Sequence, residues 1–438
     1  MSTLKITNKN VEKLKNVVFF STKKTLILFI LMACLAVILV GDLNSIIYSL
    51  TGVNRAATPI AVFLCLTIFV FISLPSQIKP PLFLRICFLF FLYFLFEGSL
   101  VGILQTDMTD TWPLLQAQIS ALLVLGALYI GTIVLIQNDI QRFDSLFRLV
   151  IFTTFLITLY AVLSFIFNWD PVVAGDKKEL GAVAYSGLLG NPNQSAFYAL
   201  LFLCFTFGVR LPLLYRACAI VFTGLAVFIT ISRGGIVAYF VILGVASIFS
   251  KAKYLFFYTI TITVFVFFIL NFVSEFEQTS GFARVVNHKL LSLQQIASGE
   301  SSLQDNNRSE FALISLSAIL KRPFFGTGFG PQYYDVFGGY GAHNIYSHIA
   351  VLSGIPALFL YLAMLSSLLW ESIKCKHNHY RKFSILIATW FLICGMSSHN
   401  ILDDKPGLFA LAIVGAILTK TSFAVQKHLV LRPNPRKI

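Results

Sequence analysis

Three side chains of the sequence have the types needed to displace a diphosphate: Arg233, Arg308 and His343. A guanidinium matches phosphate oxygens in a bidentate way, so the two arginines could hold a diphosphate leaving group. A neutral imidazole can take a proton from an attacking hydroxyl near neutral pH, so His343 could be a general base. Each residue also has a plainer interpretation, as a snorkelling arginine, a solvated surface charge and a buried histidine bonded to a carbonyl, respectively.

Further polar residues stand at the beginnings of predicted helices. Asn193 belongs to an Asn-Pro-Asn run, where it could cap the helix that follows the proline. Asp403 stands beside Asp404 and could orient a base or an acceptor, although a solvated loop is the alternative. These residues are therefore candidates for contact with a substrate.

The sequence favours neither a metal site nor a nucleotide loop. The 7 cysteines form no CxxC pair, and the histidines show neither HxxxH nor HExxH spacing, so we predict no metal and no cofactor. The glycine-rich run 326–330 lacks both a preceding strand and the lysine of a phosphate-binding loop. A tight turn after a helix is the better interpretation of that run.

The elements that must position these residues are apolar helices. The chain is 57% hydrophobic and 12% charged, which is typical of a membrane protein, and its continuous apolar blocks fit helices of about 20 residues. The sequence therefore predicts an all-α polytopic membrane protein with about twelve transmembrane helices. The predicted spans are 25–41, 57–75, 82–103, 114–136, 149–168, 194–209, 213–231, 236–250, 254–273, 343–370, 383–401 and 407–424.

Charge predicts the orientation. With the N-terminus inside and the spans alternating, most of the 33 lysines and arginines fall on the cytoplasmic side, as the positive-inside rule requires. Both termini are then cytoplasmic, and the net charge of +14 faces anionic lipid, so nucleic acid is not needed to explain it. The chain divides into a basic tail (1–24), spans one to nine (25–273), a large outer loop (274–342), spans ten to twelve (343–424) and a basic tail (425–438).

The outer loop should contain amphipathic helix. Asn307 is a good N-cap with Glu310 three residues on, and Pro323 ends the pattern, so a helix is predicted over 308–322. A weaker second helix is predicted over 285–298. One helical stripe of the first collects its apolar residues, which would let it lie on the membrane or over the bundle mouth: Ala312, Leu313, Leu316, Ile319 and Leu320.

Four motifs in order resemble the bacterial O-antigen ligase/polymerase family. They are Asn-Pro-Asn at 191–193, Ser-Arg-Gly at 232–234, Arg308 with the P-x-x-G-x-G turn at 323–328, and His343-Asn344 with nine residues before Gly354. The resemblance implies a GT-C-like, metal-independent, inverting glycosyltransferase. Its donor would be a glycan on undecaprenyl diphosphate, met at the periplasmic face of the inner membrane of a bacterium. His343 would then be the base and Arg233 and Arg308 the diphosphate clamp.

The sequence also contains candidate substrate contacts. Asn193, Asn344, Tyr346 and Asp403 would bind substrate, and an aromatic set could stack on sugar faces, unless it merely lies at the membrane interface: Tyr333, Tyr334, Tyr340 and Tyr346. The favoured activity is a ligase that moves a finished glycan onto lipid A–core, in lipopolysaccharide biosynthesis. One alternative is a repeat-unit polymerase of the same family, which uses the same donor chemistry. Another is a flippase or transporter without chemistry. Transporters usually carry several charged residues within their spans, and here only Glu97 looks like a buried charge, which speaks against this alternative. A peptidoglycan polymerase of the shape and division type is a weaker option.

Overall fold

The structure is a computed structural model, and it describes the greater part of the 438 residues. The described residues are 22–41, 43, 58–71, 79–105, 108–167, 191–230, 232–249, 306–337, 342, 344–398, 400–402 and 404–430. Within these ranges the regular structure is helical. Predictions for most of both tails, for the span 254–273, for the loop helix 285–298 and for His343, Tyr340 and Asp403 lie outside the described residues. The last helix runs to Val430, so it extends six residues into the predicted tail 425–438.

Long helices follow the predicted spans closely. The first eight are α1 (Thr22–Val40), α2 (Thr58–Phe71), α3 (Leu82–Gln105), α4 (Met108–Asn138), α5 (Ile140–Ile166), α6 (Pro192–Gly208), α7 (Leu213–Ile229) and α8 (Arg233–Ile248). They are followed by α9 (Asn306–Lys321), α10 (Pro331–Val336), α11 (Ile345–Lys374), α12 (Asn378–Gly395), a 3-10 turn (Asn400–Leu402) and α13 (Lys405–Val430).

The helices have the length and surface of a membrane bundle. Within the described ranges, five helices are long and apolar enough to cross a bilayer, namely α1, α3, α4, α5 and α11. Large apolar side chains such as Val70, Leu104 and Ile248 stand exposed on the outside of the bundle, as expected for a surface that meets lipid. The prediction of a polytopic all-α membrane protein is confirmed to this extent, while the count of twelve spans stays a prediction.

The helices group their ends at two opposite ends of the bundle. We call the end at which α6, α8 and α11 begin the site end. At the opposite end, the link between α6 and α7 and the link between α11 and α12 line one cavity, and α3 begins beside the last turn of α11. The consecutive helices α6 and α7 are therefore antiparallel, as are α11 and α12, and α3 runs antiparallel to α11. The orientation of the bundle across the membrane stays a prediction.

Aromatic side chains form the core between these helices. Phe90 of α3 lies 5.5 Å from Tyr361 of α11, and Phe147 of α5 lies 5.3 Å from Phe383 of α12, measured between ring centroids. All four are buried. Edge and tilted ring contacts of this kind add about 0.5–1.5 kcal/mol beyond area burial. Phenylalanines are found both in this core and on the outer surface of the bundle.

A carboxylate fixes where α3 begins. The two oxygens of Glu371, near the end of α11, accept hydrogen bonds from the backbone N–H groups of Leu82 and Phe83, at 2.8 and 3.1 Å. These N–H groups belong to the first turn of α3 and have no partner within that helix. Glu371 therefore caps a helix that lies 289 residues earlier in the chain.

Candidate active site

The site end is built around a break in α11. Ser353 (φ −133°, ψ 17°) and Gly354 (φ 77°, ψ 178°) leave helical geometry in the middle of this long helix. A break frees backbone groups that must find other partners inside a membrane. Its position within an otherwise apolar span makes it the most unusual backbone feature of the described chain.

The glycine-rich turn that follows α9 satisfies those freed groups. The N–H groups of Thr327 and Gly328 donate to the carbonyls of Val351 and Leu352, at 2.7 and 2.9 Å, and the N–H of Ile355 donates to the carbonyl of Pro323 at 2.7 Å. The turn therefore packs against the break and forms hydrogen bonds with its backbone. The sequence predicted a tight turn here but not its pairing with α11.

Glycines permit this close approach. Gly326 and Gly354 both have positive φ, and a Cβ on Gly326 would meet the backbone of Leu352, while a Cβ on Gly354 would meet the backbone of Phe324. The backbone of the turn and the backbone of α11 therefore pass close to each other here, with one glycine on each of the two segments. The P-x-x-G-x-G turn and the Gly354 motif, which are separate in sequence, are one structural unit.

The turn also contacts α3. The N–H of Phe329 donates to the carbonyl of Gly98 at 2.8 Å, and the Phe329 ring lies 5.1 Å from that of Phe94. A Cβ on Gly98 would meet the Phe329 ring, and one on Gly328 would meet the backbone at Gly102. The turn is therefore held between α3 and α11, which is where the loop segment joins the bundle.

Arg233 is the first residue of α8. Ser232 caps the helix by accepting from the N–H of Gly235 at 3.0 Å, and its hydroxyl donates to Oδ1 of Asn193 at 2.6 Å. Asn193 lies in the first turn of α6, so this bond joins two predicted motifs. The helix dipoles of α6 and α8 both present their positive ends here, where Arg233 begins α8.

Asn191, not Asn193, caps α6. The side-chain oxygen of Asn191 accepts from the backbone N–H of Asn193 at 2.9 Å, with Pro192 at the first helical position. The prediction that Asn193 caps this helix was wrong by two residues, because the proline must stand inside the helix. The Asn193 side chain is thereby available to contact Ser232.

The end of α12 lies between α8 and α11. A Cβ on Gly234 would meet the side chain of Ser397, and a Cβ on Gly395 would lie 2.7 Å from Ile345 at the start of α11. The hydroxyl of Tyr346 donates to the carbonyl of Leu392 at 2.8 Å. Through this one helix end, the Arg233 segment and the Asn344–Tyr346 segment become neighbours.

Asn344 caps α11. Its side-chain oxygen accepts from the N–H of Ser347 at 2.7 Å, which fixes where the helix begins directly after the predicted base. The Tyr346 ring is half-buried and lies 6.0 Å from the ring of Tyr361. Asn344 thus has a defined local role, and substrate contact by Asn344 and Tyr346 stays a prediction.

A buried tyrosine–histidine pair holds the chain just before His343. The Tyr333 hydroxyl, whose residue is 1% exposed, lies 2.6 Å from Nδ1 of His348 and accepts from the N–H of Ala342 at 2.8 Å. The direction of the bond between the Tyr333 hydroxyl and Nδ1 is set by the tautomer of His348. The prediction that Tyr333 could stack on a sugar was wrong, because this pair buries the ring.

The helix that carries Arg308 is α9. It begins at Asn306, one residue before the predicted cap Asn307, and ends before Pro323 as predicted. Arg308 lies in its first turn, and its side chain lies outside the described part. Leu313 (68% exposed), Leu316 and Leu320 face away from the protein, while Phe311 and Ile319 pack against the core. The outward apolar stripe fits a helix that lies in the membrane interface.

A cavity of about 510 Å³ opens beside the turn, between the site end of α3 and residues 321–326. Its lining is mostly apolar, and the exposed Phe324 and Leu104 continue that apolar surface outwards. Lys321 and Arg322 stand at its rim, and Glu97 is buried (5% exposed) with Oε1 lacking a hydrogen-bond partner among the described residues. The predicted burial of Glu97 is confirmed.

The structure thus brings together Asn193, Arg233, Asn344 and Tyr346 around the end of α12. No spaced motif identified Ser397 as part of this region. The sequence singled out Tyr333 as a possible sugar-stacking ring and Glu97 as a buried charge, but not the bond of Tyr333 to His348 or the position of Glu97 in the cavity beside the turn. Among the described residues no group of three His, Cys, Asp or Glu side chains lies close enough to hold a metal ion.

Residues 218–362 match the family model described as O-Antigen ligase. The match confirms the resemblance to the O-antigen ligase/polymerase family that the sequence motifs indicated. It includes Arg233, Arg308, His343 and the broken helix, and it leaves Asn193 and Asp403 outside. A comparison with curated proteins gives no match for this chain.

Proposed function

We propose that this membrane protein, whose residues 218–362 match the O-antigen ligase family, transfers a glycan from undecaprenyl diphosphate to a sugar hydroxyl. The favoured acceptor is lipid A–core at the periplasmic face of the inner membrane. The observation that carries the proposal is that Arg233, the α6 and α8 N-termini and the start of α11 lie around one helix end, within or beside the matched region. That arrangement suits an anionic leaving group beside a base.

The leaving group determines the role of the cations. The bond between the sugar anomeric carbon and the diphosphate oxygen breaks, and negative charge develops on the diphosphate. Arg233 can stabilise that charge together with the positive ends of α6 and α8, and Arg308 supplies the second guanidinium. Donors fixed by caps and by close helix packing need little reorganisation during the reaction.

The nucleophile determines the role of His343. The acceptor hydroxyl oxygen forms the new bond to the anomeric carbon, and its proton passes to the imidazole of His343. Attack from the side opposite to the diphosphate inverts the anomeric centre. The donor bond is already activated, so the reaction needs neither a covalent intermediate nor ATP, and we propose that it needs no metal.

The fold supports a lipid-linked donor. The exposed apolar surface formed by Leu100, Leu104, Phe324 and Phe325 runs up to the cavity beside the turn. A polyprenyl chain could follow this surface, whose cavity has Lys321 and Arg322 at its rim. In the proposed orientation, with both termini in the cytoplasm, this surface meets the outer leaflet of the inner membrane.

A gel of the surface polysaccharide tests the proposal, with the deletion strain compared with the same strain complemented by the gene. A ligase predicts bare lipid A–core at the surface, with long glycans accumulating on the lipid carrier. Core that carries a single repeat unit would instead identify the polymerase of the same family. Unchanged polysaccharide, or carrier-linked glycan trapped on the cytoplasmic face, would contradict glycan transfer, and the trapped glycan would identify a flippase.

A further inference from the structure

Basic side chains from two helix connections converge on one cavity at the opposite end of the bundle. The cavity has a volume of about 390 Å³. We call it the basic cavity, and the basic residues that line it are Arg210, Arg216, Lys376, His377, His379 and Lys382. Among the described residues, no Asp or Glu side chain lines the basic cavity.

The fold forces this convergence. The α6–α7 and α11–α12 connections are short, so Arg210 and Arg216 are brought against Lys376 and its neighbours at one end of the bundle. The His377 and His379 rings lie 6.4 Å apart between centroids. The transfer candidates whose positions the structure describes, Asn193, Arg233, Asn344 and Tyr346, lie at the site end instead, so the proposed transfer chemistry does not account for this cavity.

The basic groups disfavour one another's charge. Burial lowers the pKa of His379, and Arg210 and His377 lower it further, while Asp144 of α5 opposes them. Burial also lowers the pKa of Lys382, with Arg216 and Arg381 adding to the effect. An anion in the cavity would favour the charged forms of both groups and relieve this repulsion.

Hydrogen-bond acceptors are also scarce around the basic cavity. Nη2 of Arg216 reaches the carbonyl of Val209 at 3.5 Å, and Nε of Arg216 is buried without a partner among the described residues. Asp144 is near enough to act on His379, but it does not line the cavity, so one carboxylate stands against six basic side chains. A group with several oxygens would supply the acceptors that the fold lacks here.

We propose that the basic cavity binds a phosphate group, presented by the headgroup of an anionic phospholipid of the inner leaflet. Exposed apolar side chains flank this end, including Leu214 and Tyr215 on α7 and Trp370 and Ile373 on α11, and they offer a surface for acyl chains. Lys374 lies with Nζ 4.0 Å from the Trp370 ring centroid, a pairing typical of the headgroup level. Basic pockets between helix ends are known to hold such headgroups.

Native mass spectrometry of the full chain purified in detergent tests the proposal, with phosphatidylglycerol, phosphatidylcholine and inorganic pyrophosphate as separate probes. Phosphatidylglycerol should bind in preference to phosphatidylcholine. The double variant Arg210→Gln/Lys376→Gln should bind it about thirtyfold more weakly, from about 1 kcal/mol for each cation. The matched control Lys23→Gln/Arg85→Gln removes two exposed cations outside the cavity and should leave binding unchanged.

Equal binding of the two lipids, or a double variant that binds phosphatidylglycerol like the parent, would overturn the proposal. Pyrophosphate binding that the double variant loses, without a preference for phosphatidylglycerol, would instead assign the cavity to free phosphate and overturn the lipid source. The single variants Arg210→Gln and Lys376→Gln, each expected to weaken binding about fivefold, replace the double variant if it is not recovered folded.

Discussion

Arg233 combines a position at a helix start with a packed surrounding. Gly234 and Gly235 behind it leave room for Ser397 and Ala196, so the first turn of α8 lies tightly between α6 and α12. A guanidinium on this fixed turn can present two parallel N–H groups to a phosphate, which a lysine cannot do.

We therefore expect Arg233→Lys to lower the rate of glycan transfer at least tenfold while the protein stays folded. The charge remains, but the bidentate geometry is lost. Arg85→Lys is the matched control, because Arg85 is exposed at the opposite end of α3. Transfer rates measured on purified protein check this, and equal rates for the two variants would remove the clamp role from Arg233.

Tyr333 contacts the segment next to the proposed base rather than the base itself. Its hydroxyl joins His348 to the backbone of Ala342, the residue before His343. Tyr333→Phe should lower the free energy of unfolding by about 1–3 kcal/mol, because the buried Ala342 N–H loses its acceptor. It should also reduce glycan transfer, since the segment that carries the base is released.

Tyr239→Phe separates these two effects. The Tyr239 hydroxyl donates to the carbonyl of Ile220 at 2.9 Å, in a buried place remote from α11. We expect a comparable loss of stability with unchanged transfer. Thermal unfolding in detergent, paired with the transfer assay, checks both variants, and an equal fall in transfer for both would mean that Tyr333 has only a structural role.

At the scale of elements, the broken α11 and the glycine-rich turn depend on each other. The freed carbonyls of α11 accept from the turn, and the turn owes its shape to those bonds. Backbone N–H and C=O groups within a bilayer must be hydrogen-bonded, so either segment alone would be unstable there. The pairing also sets the position of α9 and therefore of Arg308.

Gly354→Ala tests this unit. The φ of 77° and the backbone of Phe324 both oppose a Cβ, so we expect a loss of more than about 1 kcal/mol of stability and a displaced turn. Gly244→Ala is the control, because a Cβ there meets nothing within 4 Å and α8 should gain up to about 1 kcal/mol. Thermal midpoints of both variants check this, and similar midpoints would contradict the account of the break.

Local sequence patterns predicted the elements well but not the contacts between them. Apolar length and charge predicted the spans, and Pro323 predicted the end of α9, because these signals are local. The cap of α3 by Glu371 and the exchange of bonds between Thr327 and Val351 join residues far apart in sequence, so no spacing rule could have found them. The Asn191 cap was missed by two residues because Pro192 can begin a helix.

At the scale of the whole molecule, the two bundle ends differ in chemistry. Helix N-termini and polar caps mark the site end, while basic residues of two helix connections mark the opposite end. The orientation that we propose from the positive-inside rule would place the basic end in the cytoplasm. Donor and acceptor would meet on the other face.

Cysteine labelling checks this orientation. In a cysteine-free background, Asp335→Cys and Lys376→Cys place one exposed thiol at each end. A membrane-impermeant maleimide applied to intact spheroplasts should label position 335 and spare position 376, and membrane disruption should expose both. The reverse pattern would contradict the proposed topology.

The measurement that tests the central claim most directly is release of undecaprenyl diphosphate by the purified chain, given a lipid-linked glycan donor and lipid A–core in the presence of EDTA. The account predicts release by the parent and a rate about 10²–10⁴-fold lower for His343→Ala with unchanged thermal unfolding, the range typical of a lost general base. A folded parent that releases no undecaprenyl diphosphate, or a His343→Ala variant with the parent's rate, would contradict it.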